Sequence, residues 1–65
     1  MIRVNGENQE NFEQKSLLEL LTALNYDTAR IAVEKNGEII PKSKYDTTIL
    51  SENDLIEVVT FVGGG

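Results

Sequence analysis

The chain has 65 residues, the length of one small domain, and it contains neither cysteine nor histidine. These absences exclude disulfides, thiolate nucleophiles, imidazole bases and thiolate or imidazole metal ligands, so no metal site is predicted. The net charge of −5 disfavours nucleic acid as a partner and favours a basic groove on another protein. No apolar run is long enough to span a membrane and no signal peptide is evident, so we expect a cytoplasmic protein.

The first predicted element is a β-hairpin. Ile2 and Val4 alternate with polar residues, which is typical of a half-buried strand. The next two residues are Asn-Gly, the pair that most favours a two-residue hairpin turn. We therefore expect a second, weaker strand to return over residues 9–13, with Phe12 as its apolar anchor.

The stretch "SLLELLTALN" predicts the main helix. Ser16 followed three residues later by Glu19 forms a capping-box pattern, and Asn25 suits the C-terminal end. Four leucines have the spacing of a buried helical stripe, namely Leu17, Leu20, Leu21 and Leu24. A helix this short is not stable alone, so it must pack on a sheet.

The second half of the chain predicts three more strands. "IAVEKNGEII" indicates two strands around an Asn-Gly turn, with Pro41 ending the second strand because it has no N–H to donate. Tyr45 and Leu50 are the expected apolar anchors of the irregular segment that follows. "LIEVVTFV" is the most strand-like stretch, so we place it in the centre, parallel to the first strand, with the helix as crossover.

Alternation divides this last strand into two faces. Residues 56, 58, 60 and 62 are predicted to face the helix, which leaves Glu57, Val59 and Phe61 on the uncovered face near Ala32. Exposed apolar side chains among polar ones are typical of a protein-docking surface, so these four residues are the candidate docking residues. The alternative is that Phe61 folds over an edge and completes the core.

The chain ends in "FVGGG", and two interpretations of this ending are open. It is either a mobile terminus without a role or a flexible thread, formed by Gly63 and Gly64, that delivers the α-carboxylate of Gly65. That carboxylate is ionised at neutral pH, since its pKa is roughly 3.5, and is therefore a poor acyl donor. An external enzyme would have to activate it, for example as an acyl-adenylate.

Several stretches together resemble the ThiS family, the sulfur carriers of thiamin thiazole synthesis. They are "IRVNGE", "SLLELL", "IAVEKNGEIIP" and "DLIEVVTFVGGG", and the similarity covers essentially the whole chain. The resemblance implies an α+β β-grasp (ubiquitin-like) fold with about five strands in a mixed sheet on one main helix, in agreement with the predicted element order. We expect this domain to span residues 1–62, with residues 63–65 as a flexible glycine tail.

The resemblance also implies a chemistry and a set of partners. A ThiF-like adenylyltransferase uses ATP and magnesium to adenylate the carboxylate of Gly65, and sulfur from a donor protein then replaces the adenylate. The resulting thiocarboxylate supplies sulfur to a ThiG-like thiazole synthase. The chain itself would be a monomeric co-substrate and not an enzyme.

One departure from the family and three rival functions stay open. The family often has an acidic residue, Gly and Asp before the last strand, whereas this chain has Glu52, Asn53 and Asp54. Asn tolerates the left-handed conformation, so the turn should persist. The rivals are a molybdopterin-synthase small-subunit-like sulfur carrier, a ubiquitin-like modifier of lysines, and a non-covalent β-grasp interaction module.

Overall fold

The computed structural model describes residues 1–61. Five strands and one α-helix form along this part of the chain, together with 3₁₀ turns at Thr28–Arg30 and Lys42–Lys44. In chain order the elements are β1 (Ile2–Val4), β2 (Glu7–Gln9), α1 (Leu17–Ala23), β3 (Ile31–Lys35), β4 (Glu38–Ile40) and β5 (Leu55–Thr60). The predicted domain limit at residue 62 and the tail of residues 63–65 lie outside the described residues.

The strands form one mixed sheet in the order β2-β1-β5-β3-β4. β5 is central, as its apolar sequence predicts, and it pairs in parallel with β1, Arg3 lying opposite Leu55. β3 pairs antiparallel with β5 over five residues, from Ile31 opposite Thr60 to Lys35 opposite Ile56. One helix covers one face of this sheet, and along the chain it lies between the parallel strands β1 and β5. This is the β-grasp arrangement.

Both Asn-Gly pairs form the predicted hairpin turns. Asn5 and Gly6 have φ angles of 51° and 84°, and Asn36 and Gly37 have φ angles of 52° and 85°. Positive φ at both central residues defines the type I′ turn, whose twist matches that of the adjoining strands. A Cβ added at either glycine would meet no atom within 4 Å, so it is the backbone angle and not space that favours glycine there.

The predicted position of the second strand is wrong. The two-residue turn pairs Val4 directly with Glu7, so β2 begins at once and ends at Gln9, not at residue 13. Positive φ angles at Asn11 and Gln14 then interrupt any extended conformation. Phe12 still packs against the core, but from a loop.

The helix begins and ends at the predicted caps. The Ser16 hydroxyl accepts a hydrogen bond from the Glu19 N–H at 3.1 Å. At the other end, Asn25 is left-handed with a φ of 64°. Hydrogen bonds from Tyr26 N–H to Leu21 and from Asn25 N–H to Thr22, both 3.0 Å, complete a Schellman motif.

The core lies between α1 and the helix-facing side of the sheet. The segment between β4 and β5 closes it with Tyr45 and Leu50, as predicted. Its buried apolar members are Ile2, Val4, Leu17, Leu20, Leu21, Ile31, Val33, Tyr45, Leu50, Ile56 and Val58. Leu24 and Phe12 pack against this cluster while partly exposed. Within residues 1–61, no helix has the length and apolar character needed to cross a membrane.

Leu20 and Leu18 provide a matched test of the helix–sheet core. Leu20 is fully buried, whereas Leu18 is 36% exposed on the same helix. We predict that Leu20→Ala lowers the free energy of unfolding by about 2–5 kcal/mol, since it leaves a cavity. Leu18→Ala should cost under about 1 kcal/mol. Urea denaturation measures both; equal losses would contradict the assigned helix orientation.

Candidate functional site

The sheet face opposite α1 carries the candidate site and is called here the open face. It consists of Arg3 on β1, Ala32 and Glu34 on β3, Ile39 on β4, and Leu55, Glu57 and Val59 on β5. The residues between them along each strand point into the core, so alternation assigns the face. Three of the four predicted docking residues are therefore strand residues of one surface.

The apolar part of the open face lies along β5 and at Ile39 of β4, which is 75% exposed. Leu55, Val59 and Phe61 are 52%, 59% and 57% exposed, and Ala32 lies directly opposite Val59 in the sheet. Phe61 follows β5, and its N–H donates a hydrogen bond to the Arg30 carbonyl at 2.7 Å. Its side chain is thus outside the core, so the alternative in which Phe61 folds over an edge and completes the core is wrong. Phe61, the fourth candidate docking residue, is thus exposed one residue beyond the end of β5.

Two carboxylates lie in the middle of this face. Glu34 and Glu57 are directly opposite each other in the antiparallel pairing of β3 and β5. Like charges in such positions destabilise a sheet. Within residues 1–61, neither carboxylate forms an ion pair. The open face is therefore apolar along β5 and negatively charged at its centre.

A shallow groove of about 440 Å³ runs beside β5 at the β1 edge of the open face. Arg3 and Glu57 provide charges of opposite sign in its lining, and the turn residues Asn5 and Gly6 close one end. The Arg3 guanidinium donates to the Asn8 side-chain oxygen at 3.2 Å, which holds it over β2. The groove thus adjoins the open face, and its lining residues do not form a cluster of nucleophilic or metal-binding side chains.

Asn5 attaches the distal half of β5 to the first hairpin. The β1–β5 ladder ends with Val4 opposite Ile56. Beyond it the Asn5 side chain replaces the missing strand, because its oxygen accepts from Val58 N–H at 2.8 Å and its amide donates to Val58 C=O at 3.1 Å. A side-chain amide thereby continues the hydrogen bonding of a peptide group.

Asn36 holds the start of β5 in a similar way. Its side-chain oxygen accepts from Leu55 N–H, and its amide donates to the Asp54 carboxylate, both at 2.9 Å. The other Asp54 oxygen accepts from Ser51 N–H at 2.8 Å and lies 3.8 Å from the Lys35 ammonium. The turn before β5 includes Asn53 with a φ of 69°, which confirms that asparagine keeps the left-handed position.

The environment of Asp54 sets its charge. Burial alone would raise the pKa of this carboxyl, but hydrogen bonds from Ser51 and Asn36 and the charge of Lys35 together lower it below its ordinary value. The carboxylate is therefore the form that the fold stabilises. From the sequence, the two Asn-Gly pairs were assigned to turns only. The hydrogen bonds of the asparagine side chains were not predicted, because they depend on the position of β5.

The structure adds no metal centre to this site. Within residues 1–61, no group of three or more metal-ligating carboxylates is present. Gly63, Gly64 and Gly65, the predicted thread and modified terminus, lie outside the described residues. The described part of the chain accordingly presents one candidate docking surface, the open face, on the sheet whose central strand precedes the glycines in the sequence.

Comparison with known proteins assigns the family. The family model described as "ThiS family" matches residues 2–65, nearly the whole chain. The chain belongs to the ThiS family. This chain is 35% identical to the sulfur carrier protein ThiS of Bacillus subtilis over 66 aligned positions, which cover 100% of each protein.

A solved structure and longer relatives extend this comparison. The crystal structure of the thiamine biosynthesis protein ThiS from Geobacter metallireducens matches with a TM-score of 0.78 and 33% identity, over 98% of this chain and 97% of that one. A thiazole synthase of Paramagnetospirillum magneticum is 43% identical over 63 residues. These residues are 95% of this chain but only 19% of that protein. The fold and the family are therefore shown, and the ThiS-like part of the larger protein is a small fraction of it.

Asp54 generates a pH-dependent prediction. The pKa of Asp54 is lower in the folded chain than in the unfolded chain, where it is about 3.9. The ionised carboxylate therefore adds to the free energy of unfolding above about pH 3.9, and this contribution is lost as the pH falls through the pKa of the folded state. At pH 7, Asp54→Asn should cost about 1–3 kcal/mol through the lost charged hydrogen bonds.

Denaturation of both proteins between pH 2 and pH 7 measures this effect. The difference between wild type and Asp54→Asn should shrink as the pH falls below about 4. The exposed Asp46 provides the control, and Asp46→Asn should change stability little at any pH. A difference for Asp54→Asn that stays constant down to pH 2 would show that its charge does not contribute.

Proposed function

We propose that this chain is a sulfur carrier of thiamine biosynthesis whose working group is the α-carboxylate of Gly65. The supporting observation is the family match over residues 2–65, which includes the terminal glycines. The full-length similarity to the sulfur carrier ThiS of Bacillus subtilis supports the same assignment. In this role the chain is a protein co-substrate of partner enzymes and is not itself an enzyme.

The proposed chemistry activates an unreactive carboxylate. A ThiF-like adenylyltransferase, which binds ATP and magnesium itself, joins a Gly65 carboxylate oxygen to the α-phosphorus of ATP and releases pyrophosphate. A sulfur-donor protein then supplies sulfur at the oxidation level of sulfide, which attacks the carbonyl carbon, expels AMP and leaves a thiocarboxylate. The chain has no cysteine, which fits a carrier that holds its sulfur at the terminus and not on a thiol side chain.

We propose that Gly63, Gly64 and Gly65 are the segment that enters a partner enzyme's active site. Glycine has no Cβ, so a glycine backbone enters a channel too narrow for other residues. β5 ends at Thr60, and the last described hydrogen bond on its course is that of Phe61 with Arg30. The three glycines therefore follow, within a few residues, a strand that is paired with β3 as far as Thr60.

We further propose that the open face binds the partner enzymes through Val59, Phe61, Glu57 and Ala32. The support is an exposed apolar strip along β5, with Val59 at 59% and Phe61 at 57% exposure, next to uncompensated carboxylates. A net charge of −5 favours partners whose docking surface is basic. Docking beside the end of β5 would bring the terminal glycine to the partner's active site.

The same proposal includes a thiazole synthase as the acceptor of the sulfur. Its support is the similarity to two thiazole synthases, in which the matched region makes up 19% and 20% of the protein. A ThiS-like segment within such a protein brings carrier and synthase together in one chain. A cytoplasmic location, where ATP is available, belongs to this proposal as well.

Intact-mass spectrometry tests the carrier function. After incubation with the adenylyltransferase, ATP, magnesium and a sulfur donor, the wild-type mass should increase by the replacement of one oxygen by sulfur. Deleting Gly65 should abolish this change and should leave the urea midpoint as it is in the wild type. A truncated chain that still restored thiamine synthesis would exclude Gly65 as the carrier residue, and a passive interaction module predicts no mass change in either protein.

Aspartate substitutions on opposite faces of β5 test the docking proposal. We predict that Val59→Asp weakens binding to the adenylyltransferase at least tenfold, because it buries a charge against an apolar surface, an effect of about 1.4 kcal/mol or more. Thr60→Asp is the control, since Thr60 is exposed on the other face of the same strand. Calorimetry measures the binding and circular dichroism checks the fold. Equal weakening by both substitutions would contradict the assignment of the open face.

A further inference from the structure

The two Asn-Gly turns have side-chain contacts that turn formation does not require. Each asparagine uses both ends of its amide: Asn5 bonds to the N–H and C=O of Val58, and Asn36 bonds to Leu55 N–H and the Asp54 carboxylate. All four distances lie between 2.8 and 3.1 Å. Both amides are therefore held against β5 or the residue that precedes it.

An asparagine followed by glycine is open to spontaneous deamidation. The glycine backbone nitrogen attacks the side-chain amide carbon, a C–N bond forms, and ammonia leaves with the former amide nitrogen. Water then opens the resulting succinimide at one of its two carbonyls, which yields aspartate or isoaspartate. Glycine favours the attack because no Cβ obstructs its nitrogen, and asparagine is among the thermally labile residues.

The contacts with β5 oppose this reaction in the folded chain. Ring closure joins the side-chain carbon to the glycine nitrogen and expels the NH₂ group, so the hydrogen bond that this NH₂ donates must be given up. We propose that Asn5 and Asn36 are deamidation sites protected by the folded sheet, and that conversion of either amide to a carboxylate weakens the attachment of β5. The reaction then proceeds mainly when the turn opens locally.

The two products differ in their surroundings. A carboxylate at position 36 faces the buried Asp54 carboxylate, which now accepts a 2.9 Å hydrogen bond from the Asn36 amide. Lys35, 3.8 Å from Asp54, offsets only part of this repulsion. A carboxylate at position 5 faces the neutral carbonyl of Val58. The product at position 36 is therefore the less stable one.

The chain contains its own controls. Asn11, Asn25 and Asn53 have φ angles of 70°, 64° and 69°, in the same left-handed region as the two turn asparagines. Each is followed by a residue larger than glycine. They separate the effect of the left-handed backbone from that of the glycine that follows.

The first test follows deamidation of the full chain at neutral pH, with and without denaturing urea. Peptide mapping by mass spectrometry measures the replacement of NH₂ by OH at each asparagine. We expect Asn5 and Asn36 to react at least about tenfold more slowly in the native chain, because the hydrogen bond that the NH₂ group donates must open first. Asn11, Asn25 and Asn53 should stay largely unreacted in urea. Equal native and urea rates at both turns, or no reaction there in urea, would overturn the proposal.

The second test uses the products directly. We expect the urea midpoint to fall for Asn5→Asp, and to fall further for Asn36→Asp, while Asn11→Asp, an exposed asparagine given the same charge, changes it little. Unchanged midpoints for both turn variants would refute the proposed link between the amides and β5. Both tests use the chain without partner enzymes, so their failure leaves the sulfur-carrier proposal untouched, and the reverse also holds.

Discussion

The structure depends on the pairing of β5 along both of its edges. β1 lies parallel to it on one side and β3 antiparallel on the other, so the final strand joins the first hairpin to the second. Where β1 ends, the Asn5 side chain continues the hydrogen bonding, and at the start of β5 the Asn36 side chain binds Leu55. Because a domain of this size has a small core, such polar contacts are a considerable part of what holds its strands together.

β5 contributes residues both to the buried core and to the exposed open face. Its inward residues Ile56 and Val58 are buried, whereas Leu55 and Val59 are more than half exposed on the opposite face. Alternation along one strand thus separates a side that packs on the helix from a side available to a partner. The opposed Glu34 and Glu57 carboxylates weaken the sheet on this exposed side.

Much of the fold was predictable because local signals and packing agree. The Ser16 cap, the leucine stripe and both Asn-Gly turns are short-range patterns, and the apolar character of residues 55–60 was enough to place β5 in the centre. The β2 strand was misplaced because Phe12 looks like a strand anchor, although the positive φ angles on either side of it hold it in a loop. The side-chain hydrogen bonds of Asn5, Asn36 and Asp54 were not predictable from local sequence. The bonds of Asn5 to Val58 span 53 positions, and the bond between Asn36 and Asp54 spans 18.

The position of β5 also has a mechanical consequence. A protein that grips the chain beyond Phe61 and pulls along the strand direction loads the hydrogen bonds to β1 and β3 at the same time. They must then shear together, whereas force across a strand would open them one after another. β5 pairs with β3 along five residues and with β1 only at Leu55 and Ile56, and the Asn5 side chain adds a bond to Val58. Tension applied at the C-terminal end of β5 would therefore act on several hydrogen bonds at once, most of them to β3.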